Sequence, residues 1–277
     1  MRNRVLFGVC LCIALVGLSF AGYIALRVPT VERAKSVSSD FSSFVSLVVR
    51  TANGSVTIER IEGSEIYVDA TIRARDEQRL DSAQVVVREA SPGVCEVLVE
   101  WPDDVRLRGE GADIHVGLPH AAELVLEASN GDVRVDGFIA MIKIATTNGA
   151  IQISGPAHQV DATTTNGTIA LDGIAGPVRI RSTNGRFDIA LTQDNPGPVF
   201  LTSTNGGGTL EVGSAFLGQL FVRTSNGQIT LEDFDAAATP RTVKETWRTK
   251  LFDFGAADHN SRLQTTNGDV VIRSIGP

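Results

Sequence analysis

Aromatic and basic side chains suited to contacting a partner concentrate near the carboxyl end of the chain. The stretch 232–260 holds four of the fourteen Phe and Trp residues, with Lys and Arg placed among them. Aromatic side chains concentrate contact energy, so we predict a partner-binding loop here. Its candidate contact residues are Trp247, Arg248, Lys250, Phe252 and Phe254. The alternative is that the loop packs its rings onto the rest of the fold.

Other residues that could perform chemistry do not form a recognisable site. Glu232, Asp233 and Asp235 could meet a hard cation such as calcium, but their spacing matches no calcium-loop motif, which favours a solvated acidic turn. The four histidines have no partner at metal-ligand spacing, and no G-x-S-x-G nucleophile motif is present. Cys95 shares its strand parity with Val97 and Val99, which predicts a small buried hydrophobe. The sequence therefore predicts no catalytic residue, no metal, no cofactor and no enzymatic activity.

Composition and charge narrow the class of partner. The chain has 277 residues, is 43% apolar and carries 25 basic against 32 acidic residues, a formal net charge of −7. This balance lacks the basic footprint of a nucleic-acid-binding protein, and no run of basic residues is longer than two. The apolar content is ample for a packed core. We therefore expect a globular protein that does not bind nucleic acid.

Asparagine followed by glycine is the dominant pattern that positions these residues. The chain has 27 Gly, and eight of its 11 Asn precede a Gly, where about one such pair is expected by chance. The first pair is Asn53-Gly54. The later ones form a predicted structural turn ladder of Asn130, Gly131, Asn148, Gly149, Asn166, Gly167, Asn184, Gly185, Asn205, Gly206, Asn226, Gly227, Asn267 and Gly268. Successive asparagines are 77, 18, 18, 18, 21, 21 and 41 residues apart, a solenoid-sized period in which the long gaps predict faded units.

Each unit alternates apolar and polar residues. Apolar residues stand three and five positions after the Asn, as in Ile151 and Ile153, and usually four and six positions before it, as in Ile142 and Ile144. These patterns predict short, half-buried strands. The Asn205 unit departs from them, and we predict a two-residue bulge that moves its apolar pair to Leu210 and Val212.

Two folds suit this period. Asn and Gly both tolerate positive φ, so the pair could close hairpins of an antiparallel meander or form one corner of a parallel β-solenoid. Equivalent residues of neighbouring rungs stack about 4.8 Å apart in a solenoid, which would select the same corner residue again and again. We therefore predict an all-β parallel solenoid of 18–21-residue rungs, about 12 in number. Outward positions carry no recurrent carboxylate pair, so the glycan cleavage of other β-helices is not predicted.

The amino terminus predicts export. Residues 5–26 contain no charged residue and follow Arg2 and Arg4. A run of this length can span a bilayer, and it continues beyond the cleavage-like Ser19-Phe20-Ala21, which favours an uncleaved anchor over a signal peptide. We therefore predict an anchor or signal peptide at 1–26, a spacer at 27–44 and a β-solenoid domain at 45–277 with an irregular insertion at 232–260.

Several segments resemble a known family. Thr146-Thr147-Asn148-Gly149-Ala150-Ile151-Gln152-Ile153 and Thr265-Thr266-Asn267-Gly268-Asp269-Val270-Val271-Ile272 are similar to the T-x-N-G-x-I-x-I rungs of the bacterial putative-adhesin, or toast-rack, family. The resemblance implies an exported β-helix-like domain of unassigned function at the cell envelope. Because the motif is structural, it transfers a fold more securely than a function.

The function that follows is a non-enzymatic, adhesin-like display or interaction scaffold. It would be held to the membrane through residues 5–26 and face the periplasm or the cell exterior, or be secreted if that segment is cleaved. Expected partners are another envelope protein or a surface glycan. The alternatives are a regulatory domain of an envelope-stress system and a glycan-binding or glycan-processing β-helix.

Overall fold

The fold is all-β over the part of the chain that the structure describes. A computed structural model describes residues 30–41, 44–235 and 239–275. These contain one short helix, α1 (Glu77–Ser82), and a 3-10 turn at Pro102–Asp104. The strands are β1 Val31–Asp40, β2 Ser46–Asn53, β3 Val56–Arg60, β4 Glu65–Ala74, β5 Gln84–Ser91, β6 Val94–Glu100, β7 Gly111–Leu118, β8 Glu123–Asn130, β9 Val133–Asp136, β10 Met141–Asn148, β11 Ile151–Ser154, β12 Gln159–Asn166, β13 Ile169–Ile174, β14 Val178–Asn184, β15 Phe187–Leu191, β16 Val199–Thr202, β17 Gly208–Val212, β18 Gln219–Asn226, β19 Ile229–Glu232, β20 Arg241–Thr246, β21 Thr249–Asp253, β22 Asn260–Asn267 and β23 Val270–Ser274.

The strands form two sheets rich in parallel pairs. Sheet A has 11 strands in the order β1-β4-β7-β3-β9-β11-β13-β15-β17-β23-β19. Sheet B has 12 strands in the order β20-β21-β18-β22-β16-β14-β12-β10-β8-β2-β6-β5.

Each regular rung consists of a strand in sheet B, an Asn-Gly corner and a strand in sheet A. Equivalent strands pair in parallel, so that Met141 of β10 lies opposite Gln159 of β12. A meander would instead pair the two strands that flank each Asn-Gly, which lie here in different sheets. The parallel register excludes the meander and supports the toast-rack solenoid.

The core lies between the two sheets. Ile142 and Ile144 of β10 and Ile151 and Ile153 of β11 are each at most 2% exposed, whereas Gln152 is exposed. Because side chains alternate along a strand, the period-two pattern places every second residue in this core. The predicted assignment of inward positions is confirmed.

One hydrogen-bonded ladder of asparagine side chains runs along the corner. From Asn130 onward in the stack, each Nδ2 donates to the Oδ1 of the neighbouring asparagine on the Asn53 side over 2.6–2.8 Å. In spatial order the ladder is Asn53, Asn130, Asn148, Asn166, Asn184, Asn205, Asn267 and Asn226. Asn53 donates in turn to the backbone oxygen of Glu110 over 2.8 Å. The predicted stacking of Asn on Asn is confirmed.

Glycine follows each asparagine because the neighbouring rung comes very close. A Cβ on Gly149 would lie 2.0 Å from the backbone oxygen of Gly131, and one on Gly167 would lie 1.9 Å from that of Gly149. Any side chain there would force the rungs apart. The sequence argument from positive φ is wrong for Asn, because no ladder asparagine has a positive φ. Asn is needed at this position because its side-chain amide both donates and accepts the hydrogen bonds of the ladder.

The predicted bulge in the Asn205 rung is also wrong. Strand β17 keeps an unbroken register with β15, with Gly208 opposite Phe187 and Leu210 opposite Ile189. Leu210 therefore holds the ordinary fifth position after the corner. Gly208 holds the third, where a Cβ would lie 2.8 Å from Cδ2 of Phe187. The large Phe ring is accommodated by the missing side chain beside it.

The order of rungs in space departs from the order in the chain. The last rung, β22 with β23, inserts between the two rungs that precede it, so that β22 pairs with both β16 and β18. The gap before Asn267 holds the hairpin β20–β21, which pairs with β18 and extends sheet B. The gap after Asn53 holds no rung between Asn53 and Asn130, because β2 pairs directly with β8. The prediction of about 12 rungs is therefore wrong, and eight Asn-Gly rungs are described.

At the end of the stack that holds the first strands of the chain, antiparallel strands complete sheet A. Strand β1 pairs with β4, and β4 pairs with β7. Lys35 of β1 donates to the backbone oxygen of Leu80 in α1 over 3.0 Å. The predicted spacer at 27–44 is therefore wrong for residues 31–40, because an edge strand needs only backbone pairing and tolerates a polar, Ser-rich sequence.

The predicted membrane segment, residues 5–26, lies outside the described residues. Within the described ranges, no helix has the length and apolar character needed to cross a membrane.

Candidate interaction surface

The predicted partner-binding loop forms a hairpin whose tip is exposed. Trp247 and Arg248 occupy the turn between β20 and β21, and Trp247 is 74% exposed. The guanidinium carbon of Arg248 lies 3.7 Å from the centre of the Trp247 ring, a cation–π contact. Lys250 is half-buried, and its Nζ lies 2.8 Å from Oε1 of Glu245.

Of the other two candidate residues of this loop, Phe252 is buried and Phe254 is half-buried against the core. Phe252 is 1% exposed and lies opposite the buried Leu220 in register. Phe254 packs edge-on against Phe216, with ring centres 5.0 Å apart and planes at 87°. The prediction that Phe252 contacts a partner is therefore wrong, because its ring is already packed in the core. The loop divides into an exposed tip and a packed base.

The acidic group beside this hairpin is engaged in ion pairs. Oε2 of Glu232 lies 2.9 Å from Nη2 of Arg273, and a carboxylate oxygen of Asp233 lies 3.9 Å from Nε of the same arginine. Within residues 30–41, 44–235 and 239–275, no group of three His, Cys, Asp or Glu side chains is arranged to hold a metal ion. Cys95 is fully buried, and burial raises the pKa of its thiol to about 11, in keeping with a small core residue.

A surface that sequence reasoning missed lies on the outer face of sheet B. Strands β14, β16, β22 and β18 are adjacent there, and their outward residues form two rows across the strands. The lower row is Arg179, Phe200, Arg262 and Phe221, and the upper row is Arg181, Thr202, Gln264 and Arg223. We call these eight residues the basic face. Six of them, with Ile180 and Leu201, line a shallow hollow of about 180 Å³.

The arginines of the lower row rest on the phenylalanine rings. The guanidinium carbon of Arg179 lies 5.2 Å from the centre of the Phe200 ring, and that of Arg262 lies 5.1 Å from the centre of the Phe221 ring. Among the described residues, Arg179, Arg262 and Arg223 have no carboxylate within 4.0 Å. Arg181 lies 3.8 Å from Asp161, which borders the face beside Arg179.

Exposed arginines in strands of sheet A, or directly before one, are arranged differently. Nε of Arg186 lies 2.9 Å from Asp188, Nη2 of Arg134 lies 3.8 Å from Asp136, and Arg273 pairs with Glu232. Each of these cations is therefore neutralised by a neighbour on its own face. Surface ion pairs of this kind contribute little to stability but reduce the charge offered to a partner.

At the other end of the stack, arginines hold buried carboxylates. Nε of Arg79 donates to Oε1 of Glu110 over 2.6 Å, and Glu110 is fully buried. The backbone N–H of Leu107 donates to Oε2 of Glu110 over 2.7 Å. Burial raises the pKa of Glu110, but these donors outweigh burial and hold the pKa below its ordinary value.

Comparisons with known proteins agree with the resemblance noted in the sequence. The model of the family described as Toastrack DUF4097 matches residues 17–273. No curated protein matches the chain. Among solved structures, a putative cell adhesion protein from Clostridium sporogenes ATCC 15579 is 11% identical, covers 89% of this chain and 100% of its own, and has a TM-score of 0.39.

Two structures from Parabacteroides distasonis ATCC 8503 show similar values. A putative adhesin is 10% identical with a TM-score of 0.37, and a putative lipid binding protein is 12% identical with a TM-score of 0.34. Each covers 88% of this chain and 97% of its own.

Proposed function

The chain belongs to the Toastrack DUF4097 family, and we propose that it is a non-enzymatic, adhesin-like interaction scaffold held at the cell envelope. The membrane anchor would be residues 5–26, with the stack facing the periplasm or the cell exterior. The stack would present its outer faces and its hairpin tip to an envelope component or to an external surface.

The basic face is the observation that carries this proposal. It assembles four arginines, of which only Arg181 has a carboxylate within 4.0 Å among the described residues, on one face of a chain whose formal net charge is −7. Because the chain as a whole is acidic, a few surface cations without partners destabilise the fold only slightly by repelling one another. Their guanidinium N–H groups remain free to donate directed hydrogen bonds to a partner. Exposed Trp247 and Arg248 at the hairpin tip add a second contact of the same chemical kind.

Rigidity supports the same proposal. The asparagine ladder and the parallel strands give the outer faces a fixed spacing. A surface whose side chains are held in place loses little conformational entropy when a partner binds, which is an advantage for a recognition scaffold.

The interaction is tested with beads that carry the full-length protein in non-ionic detergent. We expect the beads to be retained on plates coated with envelope fragments or extracellular matrix. The double variant Arg179→Gln with Arg262→Gln should lose retention. The matched control, Arg134→Gln with Arg186→Gln, removes the same charge from sheet A and should be retained like the unmodified protein. Equal retention of both variants, or no retention above bare beads, would contradict the proposal.

Anchoring rests on the uncharged run at residues 5–26, and it is tested separately. Full-length protein expressed in a bacterial host should stay with membranes after an alkaline carbonate wash. Mass spectrometry of the retained chain should find residues 5–26 intact. A chain that begins just after Ala21 and washes off would show that the segment is a cleaved signal peptide.

A further inference from the structure

The two rows of the basic face together fit one chemical class of partner. We propose that the basic face binds a linear polysaccharide that carries carboxylates, with the polymer lying across the strands along the axis of the stack. This inference rests on the proposed function in that both require the face to be exposed at the envelope.

The spacing of the cations supports a repeating ligand. Arg179 and Arg262 stand on strands two apart, with Phe200 between them in register. Neighbouring strands are about 4.8 Å apart, so the two arginines are about 10 Å apart along the axis. One sugar of a linear chain spans about one strand spacing. A carboxylate on every second sugar would therefore meet each arginine of the lower row in turn.

The phenylalanine rings hold the arginines ready for such a ligand. A guanidinium group that rests on an aromatic ring is kept in one plane, and its N–H groups point away from the ring edge. Phe200 and Phe221 are half-buried and so fixed in the sheet, whereas Arg179 and Arg262 are exposed. Two parallel N–H groups of a guanidinium match the two oxygens of a carboxylate.

The upper row favours a saccharide over other polyanions. Thr202 and Gln264 lie in register between Arg181 and Arg223, on the two strands that also carry Phe200 and Arg262. Their hydroxyl and amide groups both donate and accept hydrogen bonds, as sugar hydroxyls do. A polyphosphate chain has no hydroxyl groups to pair with them.

A membrane surface fits the face less well. The basic face is only two residues tall along each strand, and Asp161 borders it beside Arg179. A flat anionic bilayer would meet the rest of this chain of net charge −7 at the same time, whereas a thin polymer touches the rows alone.

The probe is a short hyaluronan oligosaccharide, which has one carboxylate on every second sugar. Its binding to the full-length protein in non-ionic detergent is measured by titration calorimetry. The variant Arg179→Gln with Arg262→Gln should bind about tenfold more weakly or worse. The control Arg134→Gln with Arg186→Gln should bind within about twofold of the unmodified protein. Thermal unfolding of each variant confirms that it is folded.

Three further probes decide the class of ligand. The same oligosaccharide with its carboxylates reduced to alcohols should bind at least about tenfold more weakly. Inorganic polyphosphate and vesicles that contain phosphatidylglycerol should also bind more weakly. Absence of hyaluronan binding, an equal loss in both double variants, or tighter binding to polyphosphate or vesicles would overturn the proposal.

The hyaluronan experiment and the bead experiment can fail independently of each other. Retention of protein-coated beads without hyaluronan binding would overturn this inference and leave the scaffold function standing. Hyaluronan binding that depends on Arg179 and Arg262, without retention of beads on any plate, would support the binding site and contradict the adhesin-like role.

Discussion

Arginines at the two ends of the stack are held in opposite ways. Beside β7, Arg79 donates two hydrogen bonds to the buried carboxylate of Glu110, over 2.6 and 2.9 Å. On the basic face, Arg179 and Arg262 lie over aromatic rings, and in the described chain neither has a carboxylate partner within 4.0 Å. The first arrangement uses up the N–H groups of the arginine, whereas the second leaves most of them free.

The difference separates a structural role from a binding role. Glu110 is fully buried, so its charge depends on the donors around it, and loss of one partner leaves a charge in the interior. A cation–π pair at the surface contributes modestly to folding and leaves the hydrogen-bonding edge of the guanidinium available. Substitutions at the two ends should therefore affect different measurements.

The largest effect should come from Glu110→Gln. The substitution removes the charge that Arg79 and the backbone N–H groups of Leu107 and Arg75 were placed to meet. We expect a loss of about 3 kcal/mol in the free energy of unfolding at neutral pH, measured by urea denaturation. Hyaluronan affinity should not change while the variant is folded. A loss of affinity in the folded variant would show that the two ends are not independent.

The free energy of unfolding should also depend on acidic pH through the carboxylate of Glu110. The pKa of Glu110 is lower in the folded than in the unfolded chain, so between these two values the unfolded chain binds more protons. Its contribution to stability is complete above the ordinary pKa of glutamate and is lost as the pH falls through the depressed value. Urea titrations at a series of acidic pH values should show the gap between the unmodified protein and Glu110→Gln closing. A constant gap would contradict the assigned role of this ion pair.

A smaller effect is expected for Phe200→Leu on the basic face. Leucine keeps the apolar contact with the sheet but removes the ring on which Arg179 rests. Stability should fall by only about 1 kcal/mol, whereas hyaluronan affinity should fall several-fold because the guanidinium is no longer held. An unchanged affinity would show that the ring does not orient the arginine.

The smallest effect should come from Arg223→Ala. Arg223 is exposed and, in the parts of the chain that are described, has no ion-pair partner, so the midpoint of thermal unfolding should stay the same. Its removal takes one cation from the upper row. Hyaluronan affinity should fall a few-fold, and the slope of log affinity against log salt should become shallower by up to about one. An unchanged slope would exclude Arg223 from the contact.

Much of the regular stack could be predicted from the sequence. The Asn-Gly spacing and the period of two identify rungs, corners and inward positions, because stacked strands repeat the same environment at each level. The end structures could not be predicted in this way. Strand β1 pairs through its backbone, and its Ser-rich sequence looks like a spacer.

The interaction surface was predictable only in part. A run of aromatic and basic residues pointed to Trp247 and Arg248, which are exposed, but the same run includes Phe252, which is buried. Composition does not tell which face of a hairpin a ring will occupy. The residues of the basic face do not form a continuous segment of the sequence. Arg179 and Arg262 are brought together only by strand pairing.

The sequence by itself determined the rung, its corner and the side of the sheet on which each residue lies. These properties repeat in every rung, because side chains alternate along a strand and each corner glycine meets the same backbone of a neighbouring rung. Only the tertiary structure decided which rungs are neighbours. Because the last rung inserts between the two before it, Arg262 stands between Phe200 and Phe221. Stacking in chain order would have left the two rings side by side and the arginine at the end, since pairing between similar edges is chosen by the whole fold.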